Sequence, residues 1–142
     1  MSVHLVKLCV GAEAVEDLAA WVKERVARNA NGPFGRTSEH VTRMFPRRKD
    51  EILGGGSLYW VIKGVILVRQ RIVGLEPAAG SDGIERCAIL LDPKLVETEA
   101  QPRRAFQGWR YLRPEDAPKD LNRAARRGPS RLRAKLAELG LL

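Results

Sequence analysis

Residues 54–77 read GGGSLYWVIKGVILVRQRIVGLEP, and this stretch decides the fold. Two apolar runs, 58–62 and 65–73, are rich in β-branched and aromatic residues and flank Lys63-Gly64. Runs of this kind on either side of a glycine-containing turn are typical of a β-hairpin. The glycines before the first run and Pro77 after the second mark its limits, so we predict two paired strands here.

Alternation along the second run divides its side chains between two faces. One face carries Ile66, Val68, Gln70 and Ile72, and the other carries Val65, Leu67, Arg69 and Arg71. We therefore expect a central hairpin whose body is apolar and whose far end is basic.

The flanking sequence predicts a sheet with helices packed on it. Residues 13–28 place Val15, Leu18, Val22 and Val26 on one helical stripe, with acidic residues in the first turns and arginines in the last. The remaining predicted elements are strands at 3–10, 40–45, 84–91 and 95–98, helical turns at 47–53, a basic loop at 101–104, an extended segment at 105–112, a surface excursion at 113–129 and a C-terminal helix at 130–139. We predict one α+β domain over residues 1–142. Its small, curved, mostly antiparallel sheet or partly closed β-barrel is packed by an N-terminal helix and a short C-terminal helix.

The charge of the chain is positive and unevenly placed. The net charge is +8, with residues 43–75 at +5, residues 76–102 at −4 and residues 103–142 at +7. Two basic blocks separated by an acidic one favour attraction of a polyanion, although arginine-rich composition also serves solubility alone. No apolar run approaches the roughly 20 residues of a membrane helix, so we expect no membrane partner.

The cysteine and histidine content indicates a reducing compartment and no metal site. Cys9 and Cys87 both lie in apolar strand-like runs and have no metal-ligand spacing, so we expect buried, reduced thiols and a cytoplasmic protein. No basic segment precedes the first apolar run, which argues against an export signal. His4 and His40 lack the spacing of a ligand pair, and we predict neither a metal nor a cofactor.

Two clusters combine arginine with aromatic residues. The first surrounds a Met-Phe-Pro bend at 44–46, and the second interleaves with Phe106, Trp109 and Tyr111. Arginines can hold successive phosphates while bases stack on aromatic rings, which is how single-stranded nucleic acid is bound. The predicted nucleic-acid-binding residues are Arg43, Arg47, Arg48, Lys49, Arg69, Arg71, Arg103, Arg104, Trp109 and Arg110. The alternative is a solvated basic turn with the aromatics in the core.

Two other functions stay open. Lys63 is the candidate catalytic amine of a small hydrolase acting on a nucleotide or acylated base, with Glu39, Asp50 or Glu51 as the acid–base partner. That hypothesis requires a closed pocket holding Lys63 beside a carboxylate. The third hypothesis is a structural or partner-binding protein that forms a homodimer through the C-terminal helix, since about ten residues cannot hold a helix alone in water.

Three phrases carry a resemblance to a known family: TRMFPRR at 42–48, GGSLYWVIKG at 55–64 and FQGWRYL at 106–112. The chain resembles an uncharacterised bacterial family catalogued as domain of unknown function 1489, which implies a cytoplasmic bacterial protein and supplies no activity. The order of elements is also similar to the RNA-binding barrels of the PUA and ASCH superfamily. Nothing matches the catalytic lysine–glutamate pattern of the ASCH-type amidohydrolases. This second resemblance therefore implies RNA binding rather than hydrolysis.

Overall fold

A computed structural model describes residues 2–104 and 106–121 of the chain. Its elements in chain order are β1 (His4–Leu8), α1 (Val15–Asn29), β2 (Ser38–Thr42), α2 (Lys49–Leu53), β3 (Ser57–Ile62), β4 (Val65–Ala79), β5 (Glu85–Leu91), β6 (Val96–Pro102), β7 (Trp109–Leu112) and a 3-10 turn at Pro114–Asp116. The predicted α+β class is confirmed. The helix expected at 130–139, and the dimer contact through it, lie outside the described residues.

The strands form a seven-stranded sheet in the order β2-β5-β4-β3-β1-β7, with β6 paired to β4. Every ladder is antiparallel except the one between β1 and β3, so the expected mostly antiparallel sheet is confirmed. Strand β4 is long enough to serve two sets of partners. Its first half pairs with β3 and β6, and its second half pairs with β5. Among the described strands no ladder joins β2 to β7, and the sheet is curved but open.

The predicted hairpin is formed by β3 and β4. Its turn has positive φ at both Lys63 (52°) and Gly64 (78°), the combination found in type I′ turns, which match the twist of the strands. Before β3 the backbone passes very close to its neighbours at Gly56. A Cβ at Gly56 would lie 2.3 Å from the carbonyl oxygen of Val3 and 2.6 Å from that of Ile52. Only glycine fits this position.

A β-bulge corrects the predicted faces of β4. Trp60 lies opposite Val68 and Val61 lies opposite Ile66, which leaves Leu67 as an extra residue on β4. Simple alternation was therefore wrong across this point, because a bulge inserts one residue and reverses the sidedness of those before it. Ile66 faces away from Val68, whereas Leu67 packs in the same core as Val68.

The sheet buries both of its faces. On the face that we call the helix face, α1 packs the stripe predicted from the sequence, Val15, Leu18, Val22 and Val26, onto the sheet core. Helix α1 begins at Val15, two residues later than expected, and Asp17 Oδ2 accepts hydrogen bonds from the backbone N–H groups of Glu13 and Ala14. The opposite face, the loop face, has a smaller cluster of Val6, Tyr59, Val61, Ile66 and Leu112, against which Phe106 and Ala117 pack.

The ends of β2, β4 and β6 also differ from the sequence prediction. Strand β2 ends at Thr42, and the next residues turn, because Thr42 Oγ1 donates to the Met44 carbonyl at 3.1 Å. Strand β4 continues through Pro77, where the sequence predicted a stop. In the described structure that half of β4 pairs on one side only, so the missing N–H of proline breaks no ladder. Strand β6 extends to Pro102 across part of the expected loop, since Gln101 and Pro102 pair with Ile66 and Val65.

Candidate nucleic-acid interface

Strand β7 brings the two arginine clusters together. Tyr111 Oη accepts hydrogen bonds from the backbone N–H groups of Arg47 (3.0 Å) and Arg48 (3.2 Å). Trp109 Nε1 donates to the carbonyl of Met44 at 2.8 Å. Residues 43–49, which we call the basic turn, are therefore held against β7 by side chains rather than by a strand ladder.

The cations of the basic turn differ in their surroundings. Arg48 makes an ion pair with Glu51, and its guanidinium lies 5.4 Å from the centre of the Tyr111 ring. This pairing raises the pKa of Arg48 and lowers the pKa of Glu51. Arg43, Arg47 and Lys49 are exposed, and none of them has a carboxylate partner among the described residues. The Lys49 ammonium lies 5.9 Å from the centre of the Phe45 ring.

On the other side of Tyr111 an open groove of about 470 Å³ holds the second cluster. This arginine groove is lined by Val6, Gln101, Pro102, Arg103, Arg104, Phe106, Arg110 and Tyr111. The Arg110 guanidinium lies 5.3 Å from the centre of the Phe106 ring and donates to the carbonyls of Gln107 and Trp109. Its walls thus combine apolar and aromatic surface with cations that have no acidic partner in the described structure.

Trp109 is a core residue and not a stacking platform. Its side chain belongs to the helix-face cluster, the residue is 8% exposed, and its indole N–H donates to the Met44 carbonyl. A base could not reach its ring face, so we remove Trp109 from the predicted contact residues. The aromatic residues of this edge that are at least partly exposed are Phe45, Phe106 and Tyr111.

Arg69 and Arg71 lie away from the groove, at the end of the loop face near β3. Arg71 is exposed. Arg69 is partly buried and donates through Nε and Nη2 to both carboxylate oxygens of Asp120, at 2.8 and 2.7 Å, and through Nη1 to Ser57 Oγ at 3.0 Å. These bonds raise the pKa of Arg69 and lower the pKa of Asp120. Because this ion pair holds the guanidinium at a place away from the arginine groove, Arg69 also leaves the predicted nucleic-acid interface.

Arg69 instead belongs to a second cleft that sequence reasoning missed. This polar cleft has a volume of about 380 Å³ and is lined by His4, Gly55, Ser57, Tyr59, Arg69, Pro114, Ala117, Pro118, Lys119 and Asp120. The Ser57 backbone N–H donates to His4 Nδ1 at 2.9 Å, and the imidazole meets the Tyr59 ring edge-on at 5.1 Å. Burial, and next the charge of Arg69, lowers the pKa of His4, while burial raises the pKa of Tyr59. No sequence pattern links His4 to Ser57, which lies 53 residues further on.

The candidate catalytic lysine is not in a closed pocket. Lys63 sits at the turn of the hairpin with its side chain 54% exposed, and its Nζ lies 3.5 Å from Glu13 Oε1. Its predicted partners are on other elements, with Glu39 on β2 and both Asp50 and Glu51 on α2. The arrangement that the hydrolase hypothesis requires is therefore not found around Lys63.

The other titratable residues noted in the sequence are partly or fully buried. His40 packs edge-on against Trp60 at 5.2 Å, and burial lowers its pKa to about 4. Cys9 and Cys87 are both free and buried, as predicted, and burial raises the pKa of each thiol to about 11. Within residues 2–104 and 106–121, no group of three or more His, Cys, Asp or Glu side chains is placed to hold a metal ion. None of the helices in that part of the chain has the length and apolar character needed to span a membrane.

Comparison with known proteins assigns a family but no activity. Neither the curated proteins nor the solved structures contain a significant match, so the likeness to PUA and ASCH barrels stays a prediction. One family model matches residues 5–142, which is nearly the whole chain, and its description reads "Protein of unknown function (DUF1489)". The chain belongs to this DUF1489 family, as the three sequence phrases predicted.

Proposed function

We propose that the protein binds single-stranded RNA along the edge formed by the basic turn, β7 and the arginine groove. One observation carries this proposal. Tyr111 contacts the backbone of the basic turn and also lines the arginine groove, so the two most basic parts of the described chain are neighbours. A ligand on this edge would meet both clusters at once.

The charges at this edge suit a phosphate backbone. Among the described residues, the cations here that lack a carboxylate partner are Arg43, Arg47, Lys49, Arg103, Arg104 and Arg110. Unpaired cations along an edge attract a polyanion and release its counterions on binding, which gives an affinity that falls steeply with salt. Arginine is favoured in such contacts because its planar guanidinium matches the geometry of phosphate oxygens.

The groove supports a single strand better than a duplex. Its apolar wall includes the exposed Pro102 and the partly exposed Phe106 ring, surfaces on which an unpaired base can rest. A duplex keeps its bases stacked inside, so it would contact only the cations of this edge and not the apolar wall. We therefore expect tighter binding to single-stranded RNA than to double-stranded RNA of equal length, with single-stranded DNA as a further comparison.

The test is fluorescence anisotropy with a labelled RNA of mixed sequence at 50 and 200 mM salt. Arg103→Ala/Arg104→Ala should weaken binding at least fivefold at the lower salt. The slope of log affinity against log salt should also become shallower by about 1.4, because each single-strand phosphate contact contributes about 0.7. The matched control is Arg28→Ala/Arg36→Ala, which removes the same charge from exposed positions on α1 and the loop after it. Absence of binding at 50 mM salt, or equal losses in the two double variants, would refute the proposal.

A further inference from the structure

The polar cleft is an unusual feature of the loop face. The core of this face is an apolar cluster that includes Val6 and Val61. In the polar cleft, by contrast, β1, β3, β4 and the segment after the 3-10 turn bring together His4, Ser57, Tyr59, Arg69 and Asp120. Ser57 is 2% exposed and Tyr59 is 5% exposed. Burying polar groups costs free energy that an apolar lining would avoid, so such a convergence indicates a binding site more than a folding device.

The imidazole of His4 is fixed as a hydrogen-bond donor. Its Nδ1 accepts the backbone N–H of Ser57, and a neutral imidazole that accepts at Nδ1 carries its proton at Nε2. The lowered pKa of His4 keeps this neutral form at pH 7. Because His4 lines the cleft, its Nε2–H is a donor whose orientation is set before any ligand arrives.

Arg69 is fixed in the same way. Asp120 holds one edge of the guanidinium and Ser57 Oγ takes one N–H of Nη1, which leaves two of its five N–H groups for a ligand. The backbone of Asp120 forms a β-bridge with Thr98 on β6, so both partners of the ion pair are attached to the sheet. The negative charge of Asp120 opposes an anion, but Lys119 lines the same cleft and restores a net positive charge.

We propose that the polar cleft binds the phosphate group of a small phosphorylated molecule, with Arg69 and His4 as donors. Arg69, His4, the Tyr59 hydroxyl and Lys119 approach the cleft from different elements, which suits the several acceptor oxygens of a phosphate better than a flat carboxylate. The volume of about 380 Å³ exceeds that of phosphate alone and leaves space for the attached group. This site is separate from the RNA interface and uses none of its residues.

The experiment follows backbone amide shifts by NMR while the full chain is titrated at pH 7 with inorganic phosphate and, separately, with a nucleoside monophosphate. The amide of Ser57 should shift with both probes, because it is bonded to His4, and the two probes should compete. Tighter binding of the monophosphate would identify a phosphorylated metabolite, and equal binding would identify free phosphate. A Ser57 amide that does not respond to 20 mM of either probe overturns the proposal.

Two variants and a control separate binding from folding. His4→Asn keeps an acceptor for the Ser57 N–H but removes the Nε2–H donor, and we expect it to lose at least fivefold in affinity for the monophosphate with an unchanged melting temperature. Arg69→Met should lose at least tenfold. The control is Arg71→Ala, since Arg71 is the next residue on the same face of β4 and is exposed. Losses as large in Arg71→Ala as in Arg69→Met would overturn the assignment.

RNA affinity should be the same in His4→Asn and wild type, so failure of one proposal does not imply failure of the other.

Discussion

Tyr111→Phe tests the contact on which the RNA interface depends, and it changes neither charge nor ring size. The variant deletes one oxygen that accepts two backbone N–H bonds, from Arg47 and Arg48. A typical hydrogen bond contributes about 0.5–1.5 kcal/mol, and these amides can turn to water because both bonds are exposed. We therefore expect each bond to contribute about 0.5 kcal/mol, so that the free energy of unfolding falls by about 1 kcal/mol in total.

Urea denaturation measures that loss, and amide hydrogen exchange of Arg47 and Arg48 locates it. RNA affinity should fall about threefold to tenfold at 50 mM salt even though every arginine remains, because only the Trp109–Met44 bond then holds the basic turn beside β7. Thr98→Ser is a suitable control variant, since it makes a small change in a buried hydroxyl residue of the sheet that lies outside the interface. Unchanged exchange at Arg47 and Arg48, together with unchanged RNA affinity, would show that the Tyr111 contact does not organise this edge.

Two further predictions concern stability. Gly56→Ala should abolish folding or lower the free energy of unfolding by more than about 3 kcal/mol, because a Cβ 2.3 Å from a backbone carbonyl forces β1 and β3 apart. Gly83→Ala, where nothing lies within 4 Å, should lower it by about 1 kcal/mol through its positive φ alone. Thermal melts of the two variants measure the difference. Since the pKa of His40 is lowered from 6.5 to about 4, the unfolded chain binds a proton in that interval that the folded protein does not. The resulting stability is complete above pH 6.5 and falls by about 1–3 kcal/mol as the pH drops to 4. His40→Phe should reduce this dependence, and equal pH profiles by urea denaturation would contradict the assignment.

The local pattern of the sequence was sufficient for the hairpin and for α1. Residues 58–73 combine β-branched runs with a Lys-Gly turn, and Val15, Leu18, Val22 and Val26 repeat at helical spacing. Each of these two patterns lies entirely within the element that it predicts. The bulge at Leu67 was not visible, because its effect depends on the register with β3 and not on the residue itself.

The candidate sites depended on contacts that are distant in sequence. Arginine-aromatic composition identified two clusters that the structure brings to one edge of the sheet, but it could not distinguish the buried Trp109 from the partly exposed Phe106. The Arg69–Asp120 pair spans 51 residues and changes the role of Arg69 from a free cation to a fixed donor. Neither alternation nor a count of charges reveals contacts between residues so far apart in the sequence, so the polar cleft could be found only from the tertiary structure.

The position of β1 has a consequence for how the chain assembles. Although it comes first among the described strands, β1 lies inside the sheet, in parallel with β3 and antiparallel to β7. The β3–β4 hairpin and its pairing with β5 can form from neighbouring sequence, but β1 has only one partner until residues 109–112 have been synthesised. Closing contacts over such separations is slow. During synthesis one edge of β1 therefore stays without its strand partner until Trp109–Leu112 has been added.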